Sequence, residues 1–78
     1  MTNIEKYNSQ FINCLHIEEA QLSGLTYQSI KTWDSVGHMS LMAGIEGAFD
    51  ISLEMDDIID FSSFEKGKQI LKKYNVEL

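Results

Sequence analysis

Ser35 is the hydroxyl best placed for chemistry in this chain. It opens the run Ser35-Val36-Gly37-His38-Met39-Ser40-Leu41-Met42-Ala43-Gly44-Ile45-Glu46-Gly47-Ala48-Phe49, which has helical spacing, and it follows Asp34. Asp34 suits an N-cap, because its carboxylate can accept from the unpaired amides of the next turn. Ser35 then falls at the first helical position, at the positive end of the macrodipole. Free N–H groups there favour an attached anion. The position suits a serine that carries a phosphate ester.

The other reactive side chains do not assemble a site of their own. A Ser–His pair needs the imidazole within hydrogen-bond reach of the hydroxyl and a third group to orient it. His38, three residues after Ser35, lies on a neighbouring face of the same helix. No Gly-x-Ser-x-Gly elbow accompanies it. We therefore expect no catalysis by the chain itself and place His38 at the border of the core, with a titrating role beside Ser35 as the alternative. Cys14 reads as a small packed hydrophobe. Cys14 with His16 and His38 does not make a zinc set. A calcium loop from Asp50 would need glycine at Met55 and glutamate at Phe61.

The helix that Ser35 opens carries two apolar stripes. One is Leu41, Met42, Ile45 and Phe49, extended back to His38, an ordinary buried face. The other is Val36, Met39 and Ala43. Beside an exposed serine it suits a docking surface; the alternative is that both stripes are core. Gly37, Gly44 and Gly47 each weaken the helix by roughly 1 kcal/mol relative to alanine. Their presence means close approach of a neighbour or mobility.

Composition narrows the function further. The chain has 78 residues, no proline, one cysteine and a net charge of −6. That length allows one domain, 1–78, with a single modest core. The acidic balance argues against nucleic-acid phosphates and anionic membrane surfaces, and for basic partners. No long apolar run marks a secretory signal or a membrane span, so the expected compartment is cytoplasmic and the expected state monomeric. Glu46, Asp50, Glu54, Asp56, Asp57 and Asp60 form an acidic stretch without a base, whereas Lys66, Lys68, Lys72 and Lys73 crowd the end. The first reads as a face for partners, the second as a solvated helix.

Around Ser35 the elements follow from spacing. Thr2 and Glu5 form a capping box for a helix with Ile4, Tyr7, Phe11, Ile12 and Leu15 on one face, ending near Leu15 or His16. Residues 17–33 have no helical period. Leu22, Leu25, Tyr27, Ile30 and Trp33 would pin this long loop. Trp33 reads first as a lid on the core and second as a contact for whatever Ser35 carries. The second helix spans Ser35 to Phe49. A short connection with Ile51 and Leu53 inward leads to a short helix, Asp56 to Phe61. Ser62 and Glu65 read as a second capping box, opening a last helix with Phe64, Gly67, Ile70, Leu71 and Tyr74 inward. The pattern is an all-α four-helix bundle with a long first loop and a short third helix.

Asp34-Ser35-Val36, opening an amphipathic helix that ends in Glu46-Gly47-Ala48-Phe49-Asp50, resembles the attachment motif of acyl carrier proteins. The family's motif is Asp-Ser-Leu, and Val36 stands for the leucine. The Ser–Phe–Asp spacing, the length and the acidic balance are similar too, so the resemblance covers essentially the whole chain. It implies that Ser35 receives 4′-phosphopantetheine from coenzyme A. Acyl cargo would ride on the arm's thiol as a thioester between enzymes of fatty-acid or specialised, polyketide-like biosynthesis. The implied partners are a phosphopantetheinyl transferase, an acyl or aminoacyl ligase or acyltransferase, and ketosynthase-type or other acyl-using enzymes. Val36, Met39, Ala43, Glu46, Asp56 and Asp57 are then the expected docking residues. Leu41, Met42 and Ile45 are the expected lining of an acyl pocket.

One departure matters. Fatty-acid carriers usually have a strongly acidic second helix, and here only Glu46 is acidic between Ser35 and Phe49. Gly37, Ser40 and Gly47 stand where acids are usual. This points to a dedicated carrier, and Trp33-Asp34-Ser35-Val36 is similar to such stand-alone types. Two alternatives remain: an aminoacyl or peptidyl carrier of a non-ribosomal pathway, against which Asp34 argues, and an unmodified interaction module of the same fold.

Overall fold

The computed structural model describes residues 1–78. Four α-helices are present: α1 (Asn3–Leu15), α2 (Ser35–Phe49), α3 (Met55–Asp60) and α4 (Phe64–Lys72), with a 3₁₀ turn at Glu19–Gln21. They form a small helical bundle. No helix is long and apolar enough to cross a membrane.

Three of the four helices, α1, α2 and α4, begin where a side chain satisfies free amides; α3 has no such cap. Thr2 and Glu5 form the reciprocal capping box on α1, and the hydrogen bond from the Thr2 amide holds the Glu5 carboxyl below its ordinary value. Asp34 caps α2, accepting from Gly37 N at 2.9 Å. The cap of α4 is one residue later than spacing suggested. Ser63 accepts from Lys66 N at 2.9 Å, so the expected Ser62–Glu65 box does not form. The reason lies in the loop: Thr26 and Ser63 form an isolated antiparallel bridge, with Tyr27 N donating to Ser62 O and Phe64 N to Leu25 O. These bonds hold residues 62–63 extended, so the helix starts after Ser63 rather than after Ser62. Apolar spacing anticipated that the loop would be pinned, but not this backbone pairing.

The core centres on Phe11 of α1. Its ring meets Tyr7, Phe64 and Trp33 edge-on or tilted at 5.0–5.5 Å, and Phe61 at 6.2 Å. Tyr7, Leu15, Leu41, Met42, Ile45 and Leu71 complete it, all sealed from solvent. The Tyr7 hydroxyl donates to Phe64 O at 2.6 Å, and burial pushes its pKa far up, so it stays a donor.

The helix glycines divide. At Gly37 a Cβ would run into the Thr32 carbonyl. At Gly44 it would come within 2.6 Å of Gln10 Oε1 and 3.0 Å of Cys14 Sγ. Close approach explains these two. Gly47 faces open space, and no packing reason accounts for it.

Candidate functional site

Ser35 sits at the first position of α2, exposed, immediately after its Asp34 cap. The loop residue before the cap is the opposite. Trp33 is wholly buried, between Phe11 at 5.5 Å and the His38 ring stacked at 6.2 Å. This burial is the lid on the core that its first sequence reading expected.

Trp33 and His38 form one polar couple within this apolar setting. Trp33 Nε1–H donates to His38 Nδ1 at 3.0 Å. An indole nitrogen can only donate, so Nδ1 must accept and the ring proton sits on Nε2. That Nε2–H donates to the Ile58 carbonyl at 2.7 Å. Both ring nitrogens are therefore engaged, and neither is turned to Ser35. His38 borders the core and ties α2 to α3. It is not placed as a base for Ser35. The hydroxyl near Ser35 is instead that of Tyr27, 3.4 Å from Ser35 Oγ.

A cleft of about 390 Å³ opens beside Ser35, lined by Tyr27, His38, Met39, Met55, Ile58, Ile59, Phe61 and Ser62 together with Ser35 itself. Its lining is apolar and open to solvent: Met39 is 57% exposed, Met55 72% and Ile59 74%, and Val36, next to Ser35 on α2, is 79% exposed. Large apolar groups left out in water side by side mark an interaction surface.

Several expected site residues lie elsewhere. Leu41, Met42 and Ile45 were expected to line an acyl pocket. They are buried in the core, on the side of α2 that packs against α1, and line neither cavity. The larger cavity is on the other side of α2, against α3. Val36, Met39 and Ala43 are exposed, as a docking stripe requires. Among the acids only Asp56 remains a free exposed docking candidate. Glu46 is half-buried, and its carboxylate accepts from Leu53 N at 2.7 Å, so it fastens the α2–α3 connection. Asp57 is 6% exposed and accepts from Lys73 Nζ and the Tyr74 hydroxyl. Those two bonds, Lys73 first, hold its carboxyl below the ordinary range. It clamps α3 to the end of α4 and cannot meet a partner.

The lysines of α4 are likewise not merely solvated. Lys73 holds Asp57, Lys66 lies 3.3 Å from Asp60, and Lys68 lies over the Phe64 ring at 4.7 Å. Two of the six acids of the stretch, Asp57 and Asp60, are thus paired within the fold. Sequence reasoning missed Tyr27, Met55, Ile58 and Ile59 as site residues. A signal was present: Met55, Ile58 and Ile59 repeat at i, i+3 and i+4 on a helix too short to bury all three.

No protein-family model, no curated protein and no solved structure matches the chain. The functional reading rests on the residues and their geometry.

Proposed function

We propose that this chain is an acyl carrier in which Ser35 bears a phosphopantetheine arm. In loading, Ser35 Oγ forms a bond to the phosphorus of the pantetheine half of coenzyme A. The diphosphate bridge breaks, adenosine 3′,5′-bisphosphate leaves, and the hydroxyl proton passes to a base on the transferase. When bound, the arm would supply a thiol on which acyl cargo can be carried as a thioester.

The observation that carries this reading is the juxtaposition at the head of α2: an exposed serine beside an apolar cleft of about 390 Å³. A hydroxyl alone would suit many modifications, and a cleft alone many ligands. Together they suit a tether whose cargo has an apolar part to shelter, with thioether side chains of Met39 and Met55 able to adapt to it. The exposed rim of Met39, Met55 and Ile59, with the exposed Val36 beside Ser35, suits enzymes that must reach the arm. Few free acids lie on α2, so docking there is more apolar than electrostatic, which favours a dedicated set of acyl-loading and acyl-using enzymes. The chain itself performs no chemistry in this scheme, since His38 is committed to Trp33 and Ile58.

The exposed rim also favours a second reading, an interaction module that is never modified. One experiment separates the two: intact-protein mass after incubation with coenzyme A and a broad-specificity phosphopantetheinyl transferase. A gain of one phosphopantetheine group, absent in Ser35→Ala, is expected. No gain with an active transferase and a folded chain overturns the carrier reading.

A further inference from the structure

We propose that Tyr27 is a positioning residue for the arm: its hydroxyl donates to the phosphodiester on Ser35 and turns the root of the arm toward the cleft. The proposal rests on the carrier reading.

Tyr27 lies eight residues before Ser35, in the long connection between α1 and α2, yet it is fixed from several directions. Its amide donates to the Ser62 carbonyl at 2.8 Å. The next residue, Gln28, has φ 66°, in the left-handed region where a glutamine is uncommon. From there the Gln28 amide donates to the Trp33 carbonyl at 2.9 Å and closes the turn that brings residues 27 and 33 side by side. The Tyr27 ring stands edge-on to Trp33 at 6.2 Å and to His38 at 5.4 Å. Those two rings are locked to each other and to Ile58. The hydroxyl therefore has little freedom, and its one hydrogen-bond partner is Ser35 Oγ.

At 3.4 Å that contact is long for an O–H···O bond, which is typically about 2.7–2.8 Å. The proton is weakly held and available to a better acceptor. A phosphodiester on Oγ places charged oxygens two bonds beyond the present partner, on the phosphorus. Hydrogen bonds to an ionised acceptor are shorter and roughly twice as strong as neutral ones. Modification thus converts a weak contact into a strong one without moving the ring. Because Tyr27 and Ser35 line the same cleft, a phosphate held between them starts the pantetheine chain at its mouth, next to Met39 and Ile59. The amides at the head of α2 act on the same phosphate whatever residue 27 is. Tyr27→Phe keeps the ring packing and removes only the hydroxyl, and so separates the two contributions.

The test uses the full chain and Tyr27→Phe, both loaded from coenzyme A. The ³¹P resonance of each phosphodiester is compared between the folded protein and the same protein in urea. Wild type should show a folded-state shift that falls by more than half in Tyr27→Phe, while circular dichroism of the two is the same. A second measurement needs no variant. In loaded wild type, nuclear Overhauser contacts are expected between the Tyr27 ring protons and the first methylene of the arm. Equal ³¹P shifts in the two proteins, or absence of those contacts, overturns the proposal and leaves the carrier reading standing. Failure of wild type to gain the arm overturns both.

Discussion

The two faces of α2 are made from similar residues and have opposite fates. Leu41, Met42 and Ile45 are sealed in the core, whereas Val36 and Met39 stand in solvent. Side-chain type does not decide this. What decides it is the size of the neighbour. The first face meets α1, thirteen residues long, and the aromatic cluster around Phe11. The second meets α3, six residues long and held by polar clamps at His38–Ile58 and Asp57–Lys73–Tyr74. A helix that short cannot cover the stripe, so a cleft remains, and Ser35 lies at its edge.

The contrast is broken most strongly through the core face. Leu41→Ala and Ile45→Ala should each destabilise by about 2–5 kcal/mol, the usual cost of a buried cavity. Val36→Ala and Met39→Ala should stay within about 0.5 kcal/mol, as exposed substitutions do, yet raise the KM of the transferase for the chain. Urea unfolding and loading kinetics read the two effects separately. A large stability loss in Met39→Ala would mean that the second stripe is packed after all.

Trp33 and His38 join the two regions, and their hydrogen bond is the next largest effect. Trp33→Phe leaves the half-buried His38 Nδ1 without its donor, a loss of about 1 kcal/mol before packing is counted. Thermal unfolding of Trp33→Phe, His38→Leu and the double variant should show that the two losses do not add. Additive losses would mean that the couple contributes nothing as a pair.

How far the sequence foretold this follows from which forces are local. Helix starts are local, and Thr2, Asp34 and the core stripes of α1, α2 and α4 were legible from caps and spacing. The acids were not. Glu46, Asp57 and Asp60 read as a partner face because their charge is visible in the chain, whereas their partners Leu53 N, Lys73 and Lys66 come from other elements. The cleft was displaced for a similar reason. Spacing identified an apolar face on α2 but not that the face was already full. Nor could it show that the Thr26–Ser63 bridge would bring Tyr27 to the serine.

The α3 clamp has a pH signature. Hydrogen bonds from Lys73 and Tyr74 lower the Asp57 pKa from its ordinary 3.8. A carboxyl with a lowered folded-state value stabilises the fold above the unfolded value, and that contribution is lost as pH falls through the folded value. Stability should therefore decline below about pH 4, and Asp57→Asn should be less stable at neutral pH with a shallower acid decline. Lys73 is largely exposed, so added salt should weaken the clamp. An acid limb identical in the variant and wild type would remove Asp57 from the account.

The smallest effect tests the open face most directly. Gly47 continues the stripe of Val36, Met39 and Ala43 one turn further, and a Cβ there meets nothing. Gly47→Ala should therefore stabilise the chain by about 1 kcal/mol, the helix preference of alanine over glycine. Gly44→Ala should gain less, because the Gln10 side chain and Cys14 must give way, and Gly37→Ala should lose stability against the fixed Thr32 carbonyl. The sign should thus change along one helix, from the face that is packed to the face that is not. If Gly47→Ala instead destabilises, something covers that stripe in solution, and a concentration-dependent unfolding midpoint would identify it as a second copy of the chain.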